Sequence, residues 1–578
     1  MRRLALFLLV FTLLGALLAG LGYWLLDRPL AALGSQRLLT LRLDAPLAEH
    51  ELQGGLPFPG GEPPLSLSLA YRGLLAARID ARITGLAIYL QDASFGLAKA
   101  QELRRQLAAL RDAGKSVDCY LETAGEGSNG TLEYYLASAC GTISLAPAGE
   151  INLLGLLADA PFLRGSLDKL KIEPSFLTAG AFKSAGEMFT ESRHSPAALQ
   201  ALDALLDGFF GQLVRDLAAS RGKEEAVVRS WVDRAPLSAA EALALGLVDK
   251  LEFPDEFRAR LEEAHGTHQV SLADYARASD RHAPAAKRVA VLYALGAILR
   301  GGSGSSPFSG EVVLGATDFS RRLIELGEDD SIVAVVLRVD SPGGSALASD
   351  LILREVERLK ARKPVVVSMS DVAASGGYYI AAKATKIVAE EATITGSIGV
   401  VSGKLATGRF QEELLGITHD PLRRGASAEL YSTLRPFDER QLAVMRRRID
   451  EIYARFLDHV AAGRGLDRST VETLAGGRVW TGADAKARGL VDEIGGLDRA
   501  IALAREAAGI APTETVSLAF FPKPVSFWDW LRQRPRDGRL AAAPLPRELL
   551  RRLSVALLEP SPGELSLDPA VASLARPE

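Results

Sequence analysis

IVAVVLRVDSPGGSALAS, residues 332–349, opens on a continuous apolar, β-branched run and then breaks into a proline and glycine turn. A run of that length without polar alternation suits a strand covered on both faces. Beyond it, Ile352, Val356 and Leu359 share one face at helical spacing, Pro364 ends that helix, and VVVSM at 365–369 supplies the next apolar strand. Strand, helix, strand in this order implies right-handed crossovers and a largely parallel sheet, so the expected fold class is α/β.

The same order occurs earlier in the chain. ITGLAIYLQDASFG (83–96) aligns with IVAVVLRVDSPGGS (332–345), and Leu103, Leu107 and Leu110 repeat the helical face before Gly114. EYYLASACGTISLAPAGEINLLGL (133–156) aligns with GYYIAAKATKIVAEEATITGSIGV (377–400), setting Tyr134 and Tyr135 over Tyr378 and Tyr379. LSAAEALALGLVDKL (237–251) aligns with WTGADAKARGLVDEI (480–494). Three blocks in one register describe a duplicated unit. The expected copies are residues 37–251 and 288–510, joined by a charged linker at 252–287 and followed by a Pro- and Arg-rich tail at 511–578. GGSGSSPFSG (301–310) reads as a mobile loop inside the second copy.

At 578 residues, 48% hydrophobic and 24% charged, the chain can bury more than one core. A net charge of −4 offers no concentrated basic face for nucleic acid, and Arg446, Arg447 and Arg448 read as a solvated helix face. Cys119 and Cys140 have no partners at metal-ligand spacing, so neither a metal nor another cofactor is expected; both cysteines read as buried and unbonded. The seven histidines fall in no catalytic pattern, which directs the search to chemistry without histidine. At the amino end, Arg2 and Arg3 precede an uncharged run at residues 4–26, long enough to span hydrocarbon as a transmembrane signal anchor. It exceeds a usual signal-peptide core and lacks an Ala-x-Ala site before Asp27.

DSPGGS (340–345) and DVAASGGYY (371–379) both lie where strands end, the edge at which α/β folds bind ligands. A serine followed by two glycines at a helix start projects its hydroxyl from a tight turn and leaves backbone N–H groups free for an oxyanion. Each segment alone is an ordinary glycine turn. Together, RVDSPGGSALAS (338–349), SMSDVAASGGYYIAA (368–382) and ATITGSIGV (392–400) resemble, in order and spacing, the sequence blocks of the signal peptide peptidase A family, peptidase family S49. TAGAFKSAGEMF (178–189) resembles the block in which the long-form, protease IV type carries its catalytic lysine.

That resemblance implies two tandem crotonase/ClpP-like domains behind one transmembrane helix, and a serine protease with a Ser/Lys dyad. Ser375 would be the nucleophile and Lys183 its base, with Ser397 bonded to the lysine. Gly376 and one of Gly343 or Gly344 would form the oxyanion hole. It further implies a homo-tetramer in the bacterial inner membrane, its catalytic part periplasmic, degrading signal-peptide remnants and other hydrophobic peptides after small residues. Ser370 stands where the family pattern expects glycine. A catalytically inactive membrane scaffold of the same fold and a crotonase-type acyl-thioester enzyme are the competing readings.

The repeat bears on the lysine independently. A lysine serves as a base only where desolvation lowers its pKa towards neutrality, and its neighbours Ala181, Phe182 and Ala185 bring no competing charge. In the alignment Ser375 falls over Thr131, Gly376 and Gly377 over Leu132 and Glu133, and Lys183 near Ala428. Each copy holds what the other lacks, as two half-sites of one divided centre would.

Overall fold

The computed structural model describes residues 37–51, 65–91, 93–279, 285–305, 312–511, 513–523 and 564–565. Each copy is built on a six-strand path. In the first, all neighbours are parallel, in the order Lys250–Leu251, Thr142–Leu145, Ser116–Leu121, Ile83–Leu90, Arg37–Leu43, Gln269–Ser271. In the second, the path runs Val479–Thr481, Ile394–Gly396, Val365–Ala374, Ile332–Ser341, Arg288–Leu295, Ser517–Phe521, with only the first pair antiparallel. The expected helical faces are in the core: Leu103, Leu107, Leu110, Ile352, Val356 and Leu359 are all buried.

The duplication extends to single hydrogen bonds. Tyr134 Oη donates to the Leu247 carbonyl at 2.8 Å, and Tyr378 Oη donates to the Leu490 carbonyl at 2.8 Å. Asp249 accepts from Ile143 N at 2.8 Å, and Asp492 accepts from Ile387 N at 2.7 Å. Each copy carries a 26-residue helix, Pro196–Arg221 or Glu439–Arg464, closed by a left-handed glycine, Gly222 or Gly465. The terminal arginines, Arg221 and Arg464, donate Nε to the Gly246 and Gly489 carbonyls, each at 3.0 Å.

Three expectations need correction. The stretch expected as a linker folds into the first copy: Pro254–His265 and Leu272–Ser279 are helices that bury Phe257, Leu261, Leu272 and Tyr275, and Gln269–Ser271 joins the sheet edge. Its apolar residues are too widely spaced to signal this, because each short helix buries only one narrow stripe. The second copy likewise runs past residue 510, since Ser517–Phe521 pairs with Arg288–Leu295. Cys119 and Cys140 are buried but bonded to each other, because the strand carrying Cys119 and the turn after helix Thr131–Ala137 bring their Cα atoms to 5.9 Å. The run at 4–26 and part of the 301–310 loop lie outside the described residues, and among the described residues no helix is long and apolar enough to cross a membrane.

A third sheet crosses between the copies. Strand Glu173–Ala179 of the first copy pairs antiparallel with Val400–Ala406 of the second over seven residues, from Ala179 opposite Val400 to Glu173 opposite Ala406. Gly344–Ser345 lies in the same sheet, and Glu564–Leu565 pairs with it and bridges to Val401. Val372, Ala374, Ile394 and Val479 of the second copy also enter the apolar core of the first.

Because the two tyrosine bonds are equivalent, Tyr134→Phe and Tyr378→Phe should each strand one buried carbonyl and destabilise by a similar amount, about 1–3 kcal/mol. Denaturant unfolding of the two variants measures this, and a silent Tyr378→Phe beside a severe Tyr134→Phe would contradict the equivalence.

Candidate active site

Strand Val365–Ala374 is buried throughout and runs straight into Ser375, which starts helix Gly376–Ala381. At this join Ser375 has φ 54°, a left-handed conformation that non-glycine residues seldom adopt. Its backbone is tied on both sides, with N donating to the Gly396 carbonyl at 2.9 Å and the carbonyl accepting from Tyr379 N at 2.8 Å. The strained turn swings the hydroxyl off the helix axis, where it caps nothing. Gly376 must be glycine, because a Cβ there would stand 2.7 Å from Ser349 Oγ and 3.1 Å from Gly344 N. That closeness sets the Gly376 and Gly344 backbones side by side. Of the two candidate loop donors, Gly343 already donates its N–H to Ser341 Oγ at 3.2 Å.

Lys183 comes from the other copy. The chain leaves the cross-copy strand at Ala179, and Phe182 N donates to the Gly476 carbonyl at 2.8 Å, which fastens the turn to the second copy. Lys183 Nζ then lies 2.8 Å from Ser375 Oγ, 3.0 Å from Ser397 Oγ and 3.1 Å from the Ser397 carbonyl. Lys183 is 4% exposed and Ser375 0%. Ser397 has φ 51°, so both serines facing the amine are held in the left-handed region. Thr131, the first copy's counterpart of Ser375, has its hydroxyl committed to structure: it donates to the Gly155 carbonyl at 3.3 Å and accepts from Gly155 N at 3.0 Å.

Thus the structure brings together Ser375, Lys183, Ser397, Gly376, Gly343 and Gly344. What the sequence reading missed is a buried charged layer behind them. Arg338, inside the run read as apolar, donates to Glu49 at 2.6 Å and Glu102 at 2.6 Å, and to the Ser368 and Ser370 hydroxyls. Ser370 in turn donates to Glu49 at 2.7 Å, so the departure from glycine there has a use. Lys99 Nζ meets Asp340 at 2.8 Å, Asp371 at 3.2 Å and Glu49 at 3.7 Å. Burial pulls the Lys99 ammonium down, but the Asp340, Asp371 and Glu49 carboxylates outweigh it and hold it above its ordinary value. Burial pushes the Asp371 carboxyl up to about 6, opposed by the Lys99 charge. The available signal was an arginine inside an otherwise apolar buried strand, which has to be paired.

Among the described residues no cluster of His, Cys, Asp and Glu could hold a metal ion. An activated hydroxyl against a buried amine, with glycine N–H groups alongside, can carry out acyl transfer without one. The sequence model of "Peptidase family S49" matches residues 109–268 and 357–511. The chain is 33% identical over 80% of its length to "Serine protease SPPA, chloroplastic" of Arabidopsis thaliana, covering 68% of that protein. It is 32% identical over 75% of its length to "Protease 4" of Salmonella typhi, covering 70%, and 31% identical over 81% to "Protease 4" of Haemophilus influenzae, covering 79%. Among solved structures, a ClpP1 mutant from Listeria monocytogenes aligns with 37% of this chain and 94% of its own at 16% identity, with a TM-score of 0.24. By its site and its relatives, the class is a serine protease. Within that class, the chain belongs to peptidase family S49.

Proposed function

We propose that this peptidase is an endopeptidase working through a Ser375/Lys183 dyad, and the observation that carries the reading is the 2.8 Å contact between a buried amine and a buried hydroxyl from different copies. In the reactive form the neutral amine takes the hydroxyl proton as Oγ attacks the peptide carbonyl, and later gives it to the leaving amine. Ser397 orients the amine. The N–H groups of Gly376 and Gly344 receive the developing oxyanion, Gly343 being engaged by Ser341.

The substrates are hydrophobic peptides, signal-peptide remnants among them, bound as an extended strand. Two features support this. The chain's own Glu564–Leu565 already lies as a strand between Gly344–Ser345 and Val401, beside the oxyanion loop. Next to Lys183 and Ser397 is a pocket lined by Phe182, Ala198, Ala201, Leu202 and Val479, which suits a small apolar side chain before the scissile bond. We place the enzyme at the bacterial inner membrane, anchored by residues 4–26 with its catalytic part on the periplasmic side.

We also propose a head-to-tail homo-tetramer. Among the described residues only one of the two equivalent strand joints is made within the chain. The counterpart of Val400–Ala406 in the first copy is residues 156–162, and the counterpart of Glu173–Ala179 in the second lies near residues 418–424; neither has a strand partner among the described residues. Leu157 is 83% exposed and Leu422 91%, whereas their counterparts Val401 and Leu177 are 5% and 7% exposed. A second copy of the chain supplies the missing partner, and a heterologous joint whose rotation closes after four copies makes the proposed tetrameric ring.

Ser375→Ala and Lys183→Ala should each lower kcat by roughly 10³-fold or more, and the double variant should be scarcely worse than either. Strictly multiplicative losses on a peptide with Ala before the scissile bond would show that the two act independently. Activity should rise from about pH 6 to about pH 9, because only the neutral amine accepts the proton; an optimum on the acid side would exclude a lysine base. Leu422→Asp should dissociate the assembly, read as native mass by light scattering, and an unchanged mass would remove the strand-joint explanation.

A further inference from the structure

Strand Val365–Ala374 does not pair evenly with Ile332–Ser341. Val339 lies opposite Met369, but Ser341 lies opposite Ala373, so the nucleophile strand carries extra residues, Ser370, Asp371 and Val372, against Asp340. A bulge of this kind bends a strand and re-aims the residues beyond it. Here those residues are Ala373, Ala374 and Ser375.

The bulge leaves ladder groups that need partners, and the charged layer provides them. Asp340 accepts from Val372 N at 3.1 Å through Oδ1 and from Lys99 Nζ at 2.8 Å through Oδ2. Asp371 Oδ1 accepts from Lys99 N at 3.0 Å, and its Oδ2 lies 3.2 Å from Lys99 Nζ. Lys99 is in the first turn of helix Leu97–Asp112 of the first copy, whose N-cap Gly96 caps nothing with a side chain. Asp371 of the second copy does that work instead, and a Cβ on Gly96 would stand 2.3 Å from its carboxylate. One residue of the first copy therefore holds the strand that ends in Ser375 and the loop that leads to Gly344.

We propose that Lys99 is a positioning residue for the reaction: across the interface between the copies it clamps Asp340 to Asp371 and so fixes the bulge that aims Ser375 relative to the oxyanion loop. Without the ammonium, the buried Asp371 carboxylate faces the part-buried Asp340 carboxylate, and the loop and the strand separate. Lys99 touches Asp340, Asp371 and Glu49 and none of the residues proposed to line the substrate strand or its pocket, so the loss is expected on turnover rather than on binding. The inference rests on Ser375 being the nucleophile.

The test uses the full chain, with active sites counted by fluorophosphonate labelling and turnover measured on a chromogenic peptide with Ala before the scissile bond. Lys99→Met should lower kcat per labelled site by about tenfold or more, with KM within about twofold. Adding Asp371→Asn, which keeps an oxygen on Lys99 N but removes one of the opposed charges, should recover most of that loss. A purely structural lysine would lower thermal stability while leaving kcat per site unchanged, and that result, or a double variant worse than Lys99→Met, overturns the clamp. If Lys99→Met does not fold, Asp371→Asn alone reads the same clamp, with reduced kcat and unchanged KM expected and an unchanged kcat overturning it. Ser375→Ala is the separate control: residual turnover there would sink the dyad, whatever the Lys99 variants do.

Discussion

A buried amine must stand within hydrogen-bond distance of a buried hydroxyl, and the two are delivered by different copies of one fold. Displacement of about 1 Å between copies would forfeit the geometry that such chemistry requires. Much of the architecture answers that demand. The seven-residue strand joint sets the register of the lysine turn against Ser397, the shared apolar core prevents the copies from sliding, and the Gly476 contact holds the turn down.

The charged layer adds directionality that apolar packing lacks. Removing ions from water is expensive, and a buried ion pair is no guarantee of stability. Arg338 and Lys99 nevertheless satisfy their partners at short range, and the carboxylates of Glu49, Glu102, Asp340 and Asp371 each touch a backbone N–H or a hydroxyl as well as a cation. Such a network tolerates one arrangement of the two copies, whereas apolar side chains would accept several. The copies also divide the expense of strain. Ser375 and Ser397, both left-handed, sit in the second copy, while in the first copy the turn that bears the lysine reaches positive φ only at a glycine, Gly180.

Much of this was legible in the chain itself. The apolar run at 332–339, its helix and the next strand announced the parallel sheet, and three aligned blocks announced the duplication, because a buried strand and a helical stripe leave periodic traces. The candidate pair Ser375 and Lys183 came from the resemblance of their blocks to those of the family, and comparing the copies supported it, since Lys183 alone looks like any loop lysine. The short helices at 254–265 and 272–279 stayed hidden because each buries only a few side chains. The Cys119–Cys140 bond was hidden for another reason: proximity depends on where the chain returns, which spacing does not encode. The charged layer was missed because its members are scattered from Glu49 to Asp371 and meet only once the copies dock.

The proposed dyad, divided between the copies, also orders events in time. Lys183 leaves the ribosome 192 residues ahead of Ser375, so a chain interrupted anywhere between them has a proton acceptor and no alcohol to use it on. A fragment starting after the first copy has the opposite defect. On the proposed dyad neither fragment holds both partners, and the pair forms only once the two copies have docked. The duplication thereby makes docking of the two copies a condition for the proposed chemistry.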